Sequence, residues 1–235
     1  MTEAELATEL LEAQAHASLL ALPSGRLTGF DLDAAYRVAA EVDRRRQAAG
    51  DAPRGWKIGF TNRSIWPRYH VHQPIWGRVW ASTLTLLDGT EAVVPLASLV
   101  QPRIEPEVVF GFAAAPQAGM DLAELQRCLA WVAHGVEIVH THYAGWRFGA
   151  ASDTVADFGL HGRLLVGPRV PVAGWPGLAA DLTALTMRLS CGAAVVDEGH
   201  GALVLGGPMQ ALQHWLQAMA TQCPGRAVAA GDVVT

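Results

Sequence analysis

Glu105 and Glu107 stand two residues apart in the run Arg103 to Phe112, whose β-branched and apolar content reads as a strand. Side chains alternate between the faces of a strand, so positions i and i+2 place both carboxylates on the same one. Two like charges so close repel unless a cation lies between them, and oxygen ligands suit a hard divalent ion. Glu137, in Val136-Glu137-Ile138-Val139, begins another strand after an intervening helix and can bring a third carboxylate. Three carboxylates leave an octahedral ion with open positions for water or substrate. The competing reading is a merely solvated strand face, the commoner fate of paired glutamates.

Lys57 lies in Gly55-Trp56-Lys57-Ile58-Gly59-Phe60-Thr61, a strand otherwise apolar enough to be buried. A lysine there needs an anionic partner or a shifted pKa. It can recognise a substrate carboxylate or move a proton; a snorkelling surface lysine is the alternative. His140 and His142 share one strand face, but no cysteine or third histidine stands at a zinc-ligand spacing. No G-x-S-x-G supports a serine nucleophile. Asp153 and Asp157 can orient water or substrate, and can equally cap turns.

The elements that must position these groups are legible in outline. Thr2 and Glu5 form a capping box for a first helix that carries apolar residues to Leu20 before Pro23 and Gly25 stop it. A second helix starts at Asp31 or Asp33 and ends at Gly50. Short strands follow over 56–61, 76–80, 83–87 and 91–95, with Asp88-Gly89 turning the last pair into a hairpin. Pro106 marks its strand as an edge or a bulge, because proline cannot donate to the ladder. A helix is expected from Asp121 to about Ala133, then strands at 136–139, 162–170 and 183–196, the last turning near Cys191-Gly192. A final helix starts at Pro208. This order lacks regular βαβ alternation and any G-x-G-x-x-G or phosphate-binding loop. The fold class is therefore α+β: a helical cap over residues 1–50, then a rolled mixed β-sheet over 51–235.

Composition excludes several partners. The chain has 235 residues, 51% of them hydrophobic, with 17 Lys+Arg against 22 Asp+Glu and a net charge of −5. A mildly acidic chain lacks the basic footprint of nucleic-acid binding. No apolar window is long enough to span a membrane, and the acidic N-terminus is unlike a signal peptide, so a cytoplasmic protein is expected. Three dispersed cysteines build no disulfide framework. Eight tryptophans favour self-association into a homo-oligomer.

Taken in order, several segments resemble the 2-keto-4-pentenoate hydratase and 4-oxalocrotonate decarboxylase branch of the fumarylacetoacetate hydrolase superfamily. They are Gly55 to Thr61, Gln73-Pro74 with Gly77, Ile104-Glu105-Pro106-Glu107, Val136 to Val139, Trp146 with Asp153 to Asp157, and Gly167. The resemblance spans about residues 6–235. It implies the superfamily's rolled sheet, an Mg2+ or Mn2+ ion held by Glu105, Glu107 and Glu137, and a small 2-oxo acid or its enol chelating that ion. Such an ion acts as a Lewis acid on the 2-oxo oxygen. Lys57 matches the family lysine beside the substrate. The activity implied is that of a metal-dependent lyase, hydratase or decarboxylase, acting on a 2-oxo or 2-hydroxydienoic acid of aromatic catabolism. The alternatives are an acylpyruvate-type C–C hydrolase and a non-catalytic protein that binds a 2-oxo acid.

This sequence departs from the family pattern in informative places. Ile75 replaces an aspartate after Gln-Pro, and Phe158-Gly159-Leu160 replaces Asn-x-Ser, so two polar groups are apolar. His161 and His142 become the candidates for proton transfer, since histidine titrates near neutral pH. Tyr69, Ile75, Asp157 and Leu160, with Trp66 and Trp76, are expected around a bulkier, more apolar substrate pocket. The family continues past Gly-Asp-Val-Val-Thr with a further strand or two, so the expectation is that the last strands are missing here and that side of the pocket is open.

Overall fold

A computed structural model describes residues 1–235. Helix α1 (Glu3–His16) starts on the expected capping box: the Thr2 hydroxyl accepts from the Glu5 amide at 3.2 Å and the Glu5 carboxylate accepts from the Thr2 amide at 2.7 Å. It buries Leu6, Ala7, Leu10 and Ala13. It ends four residues before Leu20, because the Leu20 amide donates to the His142 carbonyl at 2.7 Å instead of continuing the helix. A single turn, α2 (Pro23–Arg26), leads to α3 (Leu32–Ala48), which Asp31 caps by accepting from the Ala34 amide. Gly50, at φ +88°, turns the chain out of α3 into the sheet.

The strands are β1 (Pro53–Gly59), β2 (Ile75–Trp80), β3 (Leu84–Leu86), β4 (Arg103–Phe112), β5 (Leu129–Val139), β6 (His161–Val166), β7 (Val170–Pro171), β8 (Thr186–Cys191), β9 (Ala194–His200) and β10 (Val233–Val234). Between them lie α4 (Trp66–Tyr69), α5 (Leu122–Arg127), α6 (Ala151–Ala156), α7 (Leu178–Ala184) and α8 (Pro208–Gln222). The main sheet runs β2-β1-β10-β4-β5-β6-β3, with β7 on a flank of β5, and it curls into a half-barrel. It is mixed: β1–β10 and β3–β6 are parallel, the remaining pairs antiparallel. β8 and β9 form a separate hairpin. The expected α+β class and rolled mixed sheet are what the chain adopts. No helix is long and apolar enough to cross a membrane.

One apolar core joins these parts. Leu6, Leu10, Tyr36 and Val42 from the helices meet Trp56, Ile58, Ile75, Trp76 and Phe110 from the sheet, and Met209, Leu212, Trp215 and Leu216 of α8 close the same cluster. Tyr36 stacks on Trp76 at 4.3 Å between ring centres. Arg78 lies 3.4 Å over the Trp56 ring.

Besides the early end of α1, two elements differ from the sequence expectation. Residues 91–95 form no strand: β3 pairs in parallel with β6, Val93 is 97% exposed, and Pro95 cannot donate to an edge ladder. The helix expected to reach Ala133 stops at Arg127, because residues from Leu129 onward pair with β4. That cross-strand pairing buries Val132 and Ala133, and it outweighs local helix propensity. Pro106 is tolerated inside β4 because it pairs with Val136 on one flank and has no strand partner on the other.

Two stability predictions follow from this packing. Gly55 sits at φ +151°, and a Cβ there would lie 1.8 Å from the Val233 carbonyl oxygen. Gly55→Ala should therefore push β10 off β1 and lower unfolding free energy in urea by more than about 2 kcal/mol; a loss under about 0.5 kcal/mol would contradict this packing. His140 is 2% exposed and accepts from the Val100 amide through Nδ1. Burial, with His142 beside it, pushes its pKa down to about 4. Between its ordinary value near 6.5 and 4 the unfolded chain binds the extra proton, so this stability is complete above that window and is lost as pH falls through it, by up to about 3 kcal/mol. His140→Gln, which keeps an acceptor for Val100, should flatten the dependence of unfolding free energy on pH between 7 and 4; an unchanged slope would refute the assignment.

Candidate active site

The antiparallel register of β4 and β5 sets Glu105 directly opposite Glu137, with Glu107 two residues further along the same face. One carboxylate oxygen from each lies within 4.8 Å of the others. Glu137 is fully buried, Glu107 half-buried, and Glu105 opens to solvent. Lys57 projects from β1 to put Nζ 3.2 Å from Glu137 Oε2, an ion pair whose angle makes no hydrogen bond. Burial opposes the Lys57 charge, but Glu137, Glu105 and Glu107 together hold its pKa above the ordinary value.

The three carboxyls are pushed apart electrostatically. Burial works against ionising Glu137, yet Lys57 and the His161 hydrogen bond win and hold its pKa below the usual carboxylate range. Although Glu105 opens to solvent at the surface, crowding by its neighbours desolvates the carboxyl and raises its pKa, with Lys57 pulling the other way. Burial plus its two carboxylate neighbours pushes Glu107 up to about 8. Three crowded oxygen donors with one lysine beside them, and a buried Glu137 oxygen lacking a hydrogen bond, form a donor set that fits a hard divalent cation.

The other expected residues are placed unevenly. His161 does not face the cavity: its Nδ1 lies 2.7 Å from Glu137 Oε1 and its Nε2 lies 2.8 Å from Thr83 Oγ1. An ionised carboxylate only accepts, so Nδ1 carries the proton. His142 is fully buried on Asp157, with Nδ1 to Oδ1 at 2.5 Å, and its Nε2 has no partner. The Asp157 carboxylate also accepts from the Thr141 hydroxyl at 2.7 Å and the His142 amide at 2.9 Å, so it ties β5 to α6 from behind the cavity wall. Tyr69 stacks on Phe60 at 5.0 Å and borders a separate shallow depression with His70 and Val71. Ile75 and Leu160 do line the cavity. Asp153 acts as a tie, accepting from the Ser24 hydroxyl and the Gly149 and Ala150 amides.

The cavity beside the carboxylates has a volume of about 470 Å³. One wall is sheet: Lys57 and Ile58 of β1, Glu105 to Val108 of β4, and Thr235. The opposite wall comes from Met187 of β8, the turn after β9 with Leu203 and Val204, and Pro208 and Leu212 of α8. Sequence reasoning missed Thr83 and this second wall. Thr83 opens the strand read over 83–87, where a lone hydroxyl carries no sign of its distant histidine partner, and nothing local in residues 187–212 shows that they face Glu105 across the molecule.

No family model matches the chain. Over 232 residues it is 33% identical to 2-keto-4-pentenoate hydratase 1 of Dechloromonas aromatica strain RCB, covering 98% of this chain and 84% of that protein. Over 213 residues it is 30% identical to a 4-oxalocrotonate decarboxylase of a Pseudomonas species, covering 89% and 78%. The structure of 4-oxalocrotonate decarboxylase from Pseudomonas putida G7, complexed with magnesium and adipate, superposes with a TM-score of 0.89 at 24% identity, over 99% of this chain and 85% of that one. With identity of this depth along nearly its whole length, and the same curled sheet beneath it, the chain belongs to the 2-keto-4-pentenoate hydratase and 4-oxalocrotonate decarboxylase branch of the fumarylacetoacetate hydrolase superfamily.

Proposed function

We propose that the protein is a divalent-metal-dependent lyase, a hydratase or decarboxylase, that acts on a 2-oxo or 2-hydroxydienoic acid of aromatic catabolism. The observation that carries this reading is the cluster of Glu105, Glu107 and Glu137 against Lys57 at one wall of a mainly apolar cavity. The relatives named as hydratases and decarboxylases support it. Glu105, Glu107 and Glu137 would hold Mg2+ or Mn2+, and the ion, when bound, would polarise a 2-oxo oxygen as a Lewis acid.

The chain's own residues do the rest. Lys57, kept charged by its acidic neighbours, faces the cavity and can bind the substrate carboxylate or hold a proton at Nζ for the enol form. Apolar residues around it exclude water and so strengthen each of these contacts. His161 is a positioning residue: Nδ1–H fixes one Glu137 oxygen, and Thr83 fixes the ring. Ile75 and Leu160 bring apolar surface where the family pattern implies polar groups, and they favour a second reading, in which binding persists without turnover.

A panel of 2-hydroxydienoates followed by ultraviolet absorbance separates these readings. Loss of dienol absorbance that requires Mg2+ or Mn2+ is the expected result; metal-dependent binding without turnover would select the second reading. Glu105→Gln combined with Glu107→Gln should weaken Mn2+ binding at least ~100-fold by calorimetry, since it removes two anionic ligands; unchanged affinity would remove the basis of the assignment. Thr83→Val should weaken Mn2+ binding by about 10–100-fold while Thr83→Ser restores it. Equal affinity in the two Thr83 variants would show that the hydroxyl has no part in orienting Glu137.

A further inference from the structure

The two walls of the cavity differ in kind. Its charged groups lie on the sheet side: Lys57, Glu105 and Glu107 face the space, and Glu137 stands behind them. Facing them are Leu185, Met187, Leu203, Val204, Pro208 and Leu212. No arginine lines the cavity, and the one lysine is already paired with Glu137. His200 is the one titratable side chain from the opposite wall; it is exposed at the rim, with Nδ1 3.1 Å from Thr186 Oγ1.

Charge balance then restricts the substrate. A divalent cation and Lys57 together balance the three carboxylates, so the sheet wall holds one substrate carboxylate by direct contact with the ion and Lys57 and has no positive charge left for a second. A second carboxylate at the far end of the molecule would lie against mainly apolar side chains, with no arginine or lysine there and His200 out at the exposed rim, and a buried charge without a fixed counter-ion is strongly disfavoured. A neutral tail gains instead from burying each methylene. A volume of about 470 Å³ falls within the range that encloses drug-sized ligands and exceeds what a five-carbon acid fills.

Resting on the function proposed above, we infer that the site selects 2-oxo acids with a single carboxylate and an uncharged apolar tail extending beyond C5, and rejects diacids. The inference chooses between the two lyase outcomes. Loss of CO2 through a conjugated chain needs a carboxylate at the far end, whereas addition of water needs only the alkene. A substrate whose one carboxylate stays at the ion therefore calls for hydration.

Calorimetric titration of the Mg2+-loaded protein with saturated 2-oxo acids tests this without turnover. Affinity should rise about threefold per added methylene from pyruvate to 2-oxooctanoate. 2-Oxohexanoate should bind at least about tenfold tighter than 2-oxoadipate, which has the same carbon count. Met187→Arg, a partly exposed position on the hairpin wall, should bring the two six-carbon ligands within about threefold of each other by supplying the missing cation. Pyruvate binding with no gain along the series, or 2-oxoadipate binding as tightly as 2-oxohexanoate, would overturn the inference and leave the proposed function standing. An unchanged ratio in Met187→Arg would overturn the placement of the tail. If no acid in the series binds in the presence of Mg2+, the chelating site itself falls, and this inference with it.

Discussion

Three carboxylates on one face of a two-strand ladder repel one another, and much of the structure around them restrains that repulsion. The register that sets Glu105 against Glu137 is held by ten paired positions along β4 and β5. Slipping it by one residue would turn every side chain of β4 to the opposite face. Lys57 reaches Glu137 from β1, and His161 reaches it from β6, so three neighbouring parts of the sheet converge on one buried carboxylate. Removing one partner of such a buried pair costs about 3–5 kcal/mol, because the remaining charge is left without compensation. A site of this kind is unfavourable for folding when empty of a cation and suited to binding one.

The same restraint holds two of the candidate histidines against buried carboxylates. His161 and His142 lie behind the wall, each with Nδ1 on a carboxylate, and their partners Glu137 and Asp157 are almost fully buried. His161 steadies one oxygen of the cluster residue Glu137, whereas Asp157 and Thr141 join the end of β5 to α6. Lys57 is left as the charged donor that both touches the carboxylate cluster and faces the cavity. With Ile75 and Leu160 also lining it, the space is charged at one wall and mainly apolar elsewhere, an asymmetry that orients an amphipathic acid.

Local physics made much of this legible in the amino-acid sequence. The spacing of Glu105 and Glu107 was enough to put them on one strand face, and the Thr2/Glu5 and Asp31 caps marked where two helices begin. The β8–β9 hairpin and the start of α8 at Pro208 were equally plain from turn and first-turn chemistry. Glu137 and Lys57 stood out by residue type and strand context, and the family pattern assigned them to one site with the pair of glutamates. Where local signals failed, a distant partner decided. Leu129 to Ala133 read as helix until β4 offered them a ladder, and residues 91–95 read as a strand with no neighbour to pair with.

By itself, then, the sequence determined the α+β order of elements, the shared face of Glu105 and Glu107, and the apolar character of positions 75 and 160. Each follows from periodicity, capping or side-chain type within a few residues. The tertiary structure alone decided that Glu137 lies opposite Glu105, that Thr83 anchors His161, that Tyr69 borders a different depression, and that residues 187–212 form the far wall of the cavity. These are contacts between segments tens to about a hundred residues apart in the chain. They are set by strand register and by which apolar faces bury each other, and no local window of sequence carries that information.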